Sequence, residues 1–191
     1  MSGRNKFSKL KPFIKLLSLV LGVFGKRINT SLFIIFRNLP FKLGLLIRYI
    51  LLKNIAKKIG DNVSIQPGVF LFNAQNIIFG DNVSIHPMCY IEGAGNIKIG
   101  NNVSIAHATT LISTNHTWDN LDLPIKYNKE TFNEIIIQDD VWIGCGVRIL
   151  SGVHIKSRSV VAAGAVVNKS FDSNSLIGGI PAKLIKKINE N

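Results

Sequence analysis

The chain has 191 residues, enough for one domain with an ordinary core, and a formal net charge of +12. That charge is uneven: residues 1–60 hold 13 Lys or Arg and no Asp or Glu, whereas residues 61–191 hold 10 basic and 11 acidic residues. A uniformly basic nucleic-acid-binding surface is therefore disfavoured, and two cysteines, Cys89 and Cys145, argue against a disulfide framework and for a reducing compartment.

The first element in chain order is a basic, apolar segment over residues 1–58. Its Lys and Arg are interleaved with Leu, Ile and Phe, as in "FIKLLSLVLGVFGKRINTSLFIIFRNLP". Nucleic-acid arms are usually polar, so this composition favours a membrane surface. The charge-free runs Leu16 to Gly25 and Ile28 to Phe36 are shorter than the ~20 residues needed to cross a bilayer. A cleavable signal is weakly supported, because no small-residue cleavage site follows Gly25. Two readings stay open: helices packed in a core with solvated charges, or an interfacial amphipathic anchor on an anionic leaflet.

From Val63 onward, branched or small residues recur in pairs two apart, and the pairs recur every six. The run includes Val63/Ile65, Val69/Leu71, Ile77/Phe79, Val83/Ile85, Cys89/Ile91, Ile97/Ile99, Val103/Ile105 and Thr109/Leu111. It resumes at Ile135/Ile137 and continues through Val141/Ile143, Val147/Ile149, Val153/Ile155, Ser159/Val161 and Ala165/Val167. A spacing of two places both side chains on one face of a strand. Six residues per unit predicts short strands joined by tight turns, wound into a β-helix with three flat faces over residues 59–191. Val63, Val83 and Val103 repeat at 20 rather than 18, so two extra residues are expected at one corner, near Ala74 to Asn76 and Gly93 to Asn96.

The largest interruption is a polar loop over residues 113–134, "STNHTWDNLDLPIKYNKETFNE". Long polar loops inside a compact repeat are usually functional. His116 stands where the repeat breaks. Histidine titrates near neutral pH and suits a general base.

The motifs "IGNNVSI", "DDVWIGCGVRILSGVHI", "VVAAGAVV" and "IGGIPAKLI" resemble the hexapeptide-repeat acyltransferases, particularly the maltose and galactoside O-acetyltransferases and polysaccharide-modifying relatives. The resemblance covers roughly residues 59 to 188. It implies an all-β fold, a left-handed parallel β-helix of hexapeptide repeats, with the helical segment before it and a short C-terminal extension. It also implies a homotrimer with sites between subunits, acetyl-CoA as co-substrate, and no metal.

Carried over residue by residue, the resemblance makes His116 the catalytic base. His86, Asn115 and Trp142 fall at the acceptor side. His86 stands where the sugar acetyltransferases typically have an asparagine, which leaves the acceptor's identity open. The donor side comprises Trp142, Gly144, Cys145, Ala162 and Ala163 along a track of small residues, then Asn168 and Lys169, then Lys183 and Lys186 for the phosphates. Cys145 and Ala163 are 18 apart, one full coil, and should stack. His86 and His116 follow different faces, so they are expected to meet only across a subunit boundary. The expected function is O-acetylation of a saccharide hydroxyl in cell-surface polysaccharide biosynthesis. The expected place is the cytoplasm, at the inner face of the membrane if the anchor reading holds. The rivals are acylation of serine or an amino sugar, acetylation of a small xenobiotic, and a catalytically inactive scaffold.

Overall fold

A computed structural model describes residues 3–188. Three helices come first: α1 (Gly3–Gly22), α2 (Gly25–Ile35) and α3 (Phe41–Ile55). The chain then winds into a solenoid of short parallel strands.

The solenoid has three faces. The first stacks Lys58–Ile59, Ile77–Phe79, Ile97–Ile99, Ile135–Ile137 and His154–Ile155. The second stacks Ser64–Ile65, Ser84–Ile85, Ser104–Ile105, Trp142–Ile143, Val160–Val161 and Ser175–Gly178, and ends with Lys183–Lys187 running antiparallel. The third stacks Phe70–Phe72, Tyr90–Glu92, Thr110–Ile112, Arg148–Ile149 and Val166–Val167. Registers step by 20 residues in the early coils (Ile65 beside Ile85) and by 18 in the late ones (Ile143 beside Val161). The extra two residues sit where the sequence places them, in a 3-10 turn at Ala74–Asn76 and a turn at residues 94–95.

The inward pairs are the core. Ile65, Phe79, Ile85, Ile105, Ile143 and Val161 are all 0% exposed. Of the pairs read from the sequence, Leu71 alone is only partly buried, at the end packed against the helices. Thr109, buried among them, donates its hydroxyl to the Gly144 carbonyl at 3.0 Å, so this inward polar group keeps a partner.

Corners explain the Asn-rich repeat. Between the first and second faces, Asn62, Asn82, Asn102 and Asp140 hold φ of 54–57°, a left-handed conformation that Asn and Asp tolerate better than other residues with a Cβ. The preceding residues lock coil to coil: the Asp81 carboxylate accepts from the Asp61 N–H at 2.7 Å, and the Asn101 side-chain oxygen from the Asp81 N–H at 2.8 Å.

The helices close the open end of the first coil. α3 buries Tyr49, Ile50, Leu51, Leu52 and Ile55. Arg48, 0% exposed, donates Nε to the Ile65 carbonyl at 2.7 Å and one terminal nitrogen to the Leu39 carbonyl at 2.7 Å. It thereby ties the turn before α3 to the first coil. Burial pushes the Arg48 guanidinium below its ordinary pKa. Gly44 makes this approach feasible, since a Cβ there would lie 1.9 Å from the Leu39 carbonyl oxygen. Tyr49 donates its hydroxyl to the Gly60 carbonyl at 2.8 Å.

Candidate active site

The polar loop is a hairpin thrown out from the corner between the third and first faces. Thr114–His116 pairs antiparallel with Glu130–Phe132, and His116 lies opposite Glu130. The imidazole Nε2 stands 3.4 Å from the Glu130 carboxylate, both side chains being about half exposed. Asp119 and Asp122 are the carboxylates nearest to His116 in the sequence. The hairpin register supplies Glu130 instead, 14 residues along the chain. Asp119 is occupied elsewhere: a hydrogen bond from the Thr117 hydroxyl holds its carboxyl below the usual range.

Asn128, 7% exposed, fixes the loop tip. Its side-chain nitrogen donates to the carbonyls of Asn120, Leu123 and Pro124 at 3.2–3.3 Å, and its oxygen accepts from the Asn120 N–H at 3.0 Å. Sequence reasoning missed this residue, because an Asn in a polar loop carries no signal of burial. The tip presents Trp118, 66% exposed, over an open depression of about 310 Å³ lined by Asn115, His116, Thr117, Trp118 and Asp119. A larger depression, about 480 Å³, lies on the first face around Ile78, Lys98 and Ile136, and contains none of the residues singled out for chemistry.

The small residues expected on the donor side, Gly144, Cys145, Ala162 and Ala163, line the second corner, between the second and third faces. The second-face registers stack Gln66, His86, Ala106, Gly144 and Ala162 in one column, with Pro67, Pro87, His107, Cys145 and Ala163 in the next. Cys145 and Ala163 stack as their spacing predicts, and the Gly164 N–H donates to the Cys145 carbonyl at 2.8 Å. His107 occupies the place below Cys145, its carbonyl accepting from the Gly146 N–H at 3.0 Å. The 22-residue loop hides this neighbour in the sequence, where no histidine stands near Cys145.

Packing also keeps Gly144 small, since a Cβ there would meet the Ala163 nitrogen at 2.6 Å. The open positions are Gly146 and Gly164, with φ of 67° and 72° and nothing within 4 Å of a built Cβ. Trp142 is 56% exposed on the second face, two residues before Gly144 and between Ser104 and Val160. Lys183 pairs with Gly178, which stands over Ala162, and Lys186 pairs with Leu176. Both lysines are exposed and make no ion pair among the described residues. Asn168 and Lys169 lie at the other edge of the third face, just after Val166–Val167, and the Lys169 ammonium sits 5.8 Å from the Phe171 ring.

His86 and His116 thus belong to different corners, at opposite edges of the third face. Among the described residues no group of three His, Cys, Asp or Glu side chains is placed to hold a metal ion.

This architecture has counterparts. Residues 134–169 match the family described as bacterial transferase hexapeptide (six repeats). The Escherichia coli galactoside O-acetyltransferase is 33% identical over 141 residues, 73% of this chain and 68% of that protein. The Lactococcus lactis galactoside O-acetyltransferase is 31% identical over 144 residues, 74% and 68% of the two chains. A Schizosaccharomyces pombe protein is 57% identical over 54 residues, but these are only 26% of its length. Among solved structures, a galactoside acetyltransferase in complex with coenzyme A superposes with a TM-score of 0.77 at 31% identity, covering 86% of this chain and 82% of that one. A Vibrio cholerae hexapeptide-repeat acetyltransferase complexed with acetyl coenzyme A gives 0.77 at 28% identity, covering 86% and 88%. Their shared fold is the left-handed parallel β-helix, against the usual right-handed crossover. A three-faced solenoid of hexapeptides, interrupted by a histidine-bearing hairpin and matched over most of its length by such enzymes, places this chain in the hexapeptide-repeat O-acetyltransferase family.

Proposed function

We propose that the protein moves the acetyl group of acetyl-CoA onto a saccharide hydroxyl, at sites shared between subunits of a homotrimer. The observation that carries this reading is the His116–Glu130 pair on the hairpin that breaks the solenoid. With Nε2 facing the Glu130 carboxylate, Nδ1 is left to take the acceptor's proton. The acceptor oxygen then bonds to the thioester carbonyl carbon, the carbon–sulfur bond breaks, and the imidazolium returns its proton to the departing thiolate. Acetyl-CoA supplies the activated acyl group. The chain's residues fit such a donor: the second corner is open beside Gly146 and Gly164, and Lys183 and Lys186, without an ion pair among the described residues, offer ammonium groups for phosphates. As lysines they make point-charge contacts, not the bidentate contacts of arginine.

The corners support a shared site. His86 and the Cys145–Ala163 track lie on one edge of the third face and His116 on the other, so a neighbouring subunit would bring the two edges together. Trp142 and Asn115 would wall the acceptor and thioester ends. The maltose O-acetyltransferase of Clostridium difficile, with a TM-score of 0.76 at 27% identity and 89% of each chain covered, supports a saccharide acceptor. The basic N-terminal segment favours a glycan carried at the cytoplasmic face of a membrane, as in surface-polysaccharide assembly. The free thiols of Cys89 and Cys145 suit that reducing compartment.

The test is thiol release from acetyl-CoA with a panel of mono- and oligosaccharides. His116→Ala should lower kcat by about 10²–10⁴-fold, the usual contribution of a positioned acid–base. Equal rates would remove His116 from the chemistry, and no acceptor-dependent release from folded wild-type protein would favour a scaffold. Glu130→Gln should lower kcat less than His116→Ala does and move the pH profile, because it removes charge while keeping shape.

A further inference from the structure

The helices α1 and α2 are inverted relative to an ordinary soluble helical layer. Their inward contacts are partly polar. The Ser18 hydroxyl donates to Asn54 Oδ1 at 3.2 Å, Asn54 Nδ2 donates to Asn29 Oδ1 at 3.3 Å, and Asn29 is 0% exposed. Their outward surface is apolar: Phe13 is 52% exposed, Leu16 59%, Leu19 64%, Val20 52%, Val23 85% and Phe24 55%. A soluble helix turns its polar side to water, and contiguous exposed apolar surface of this kind marks a partner.

Charge identifies the partner. Residues 1–60 carry 13 basic residues and no acid, and within α1 and α2 only Lys11 has a carboxylate partner, Asp61, among the described residues. Exposed Lys9 and Lys15 flank the apolar surface of α1. Lys26 and Arg27 stand in the first turn of α2, the positive end of its dipole, where cations are unfavourable without an anion. Beside them lies an open depression of about 410 Å³ bordered by Thr30, Ser31, Ile55 and Gln75. A second copy of this chain would bring like charge against like charge, whereas a bilayer of anionic lipid meets both the apolar and the cationic groups.

By length and composition, α1 and α2 reach what a membrane crossing needs only together, as a bent pair. Among the described residues no single helix is long and apolar enough to cross a membrane, and the axes of α1 and α2 bend by 116° at residues 22–25.

We infer that the outer surface of α1 and α2 lies in the interface of an anionic membrane, with Leu16, Leu19 and Val23 at the headgroup–acyl boundary and Lys15, Lys26 and Arg27 at lipid phosphates. This docking stands whether or not the acetyl-transfer reading does.

The experiment is co-sedimentation of the full chain with vesicles of phosphatidylcholine alone and of phosphatidylcholine with phosphatidylglycerol, at low and high salt. Binding to the anionic vesicles, weakened by salt, is expected. Changing Lys15, Lys26 and Arg27 to Gln should weaken partitioning roughly five-fold per charge. Leu16→Glu, Leu19→Glu and Val23→Glu together should abolish it. Because these side chains are exposed, the circular dichroism and thermal transition should stay unchanged. If the glutamates impair folding, the same three positions changed to Ala should still reduce binding. Absence of wild-type binding to either vesicle overturns the inference. So does a glutamate variant that binds vesicles normally but has a smaller mass in solution, which would assign the surface to a second copy.

Discussion

The solenoid and the helices before it bury apolar residues by opposite rules. In the solenoid, each inward side chain meets the equivalent residue one coil away, so Ile85 packs between Ile65 and Ile105 and all three are 0% exposed. The repeat supplies its own partner at every step. The helices have no repeat. α3 rests on the first coil, and α1 and α2 pack mainly on α3 with a stripe that includes Ser18 and Asn29. A local period therefore decides burial where units stack on copies of themselves. Elsewhere burial depends on which neighbour the chain happens to reach.

Substitutions along this gradient should cost less and less. Phe79→Ala, deep in the solenoid, removes the largest aromatic of the fully buried set and should destabilise by about 3–5 kcal/mol, read from denaturant midpoints. A change within about 1 kcal/mol would mean the coils can collapse around the void. At the junction, Arg48→Ala strips hydrogen bonds from the Ile65 and Leu39 carbonyls and should cost about 3 kcal/mol. Its signature should be early loss of helix while strand signal persists. A single transition with unaltered cooperativity would show that the cap and solenoid unfold as one unit.

Smaller still, Tyr49→Phe removes one hydrogen bond to Gly60 and should cost about 1 kcal/mol at neutral pH. Burial, helped by Asp61 and Asp81, pushes the Tyr49 phenol up to about 12. A folded pKa above the unfolded one stabilises the fold fully below the unfolded value, about 10, and this is lost as pH rises towards 12. The wild type should therefore lose stability over that window more steeply than Tyr49→Phe, and parallel curves would remove Tyr49 from the alkaline transition. At the far end, Leu19→Glu on the outer face of α1 should stay within about 0.5 kcal/mol in lipid-free buffer. A large loss there would mean that α1 is covered even without lipid.

Cysteine chemistry gives a separate readout of the same contrast. Burial pushes the Cys89 thiol up to about 11, while Cys145 is half-buried at the second corner. One thiol should react with a disulfide reagent in the native protein and two after denaturation. Two native thiols would show that the second coil opens.

Much of the scaffold was legible. The paired residues from Val63 to Val167, the 20-residue early coils and the hairpin position all follow from spacing in the sequence. The candidate site was legible in part. His116 announced itself by breaking a period, and Cys145 and Ala163 stack because they are one coil apart. Glu130 gave no such signal, because its place opposite His116 depends on how the hairpin closes. His107 lies beneath Cys145 only after the loop is removed from the count. The close approach of the next coil's backbone to Gly144 likewise appears only once the coils stack.

The sequence by itself determined the elements governed by short-range rules. Alternation sets which side chains point inward, Asn in left-handed turns sets the corners, and the run of six sets the faces. The tertiary structure decided everything that depends on closure. It chose which carboxylate meets His116, which cation is buried at the cap, and which side of α1 and α2 is left facing outward. These are contacts between segments that no period relates, so their partners exist only once the chain has folded.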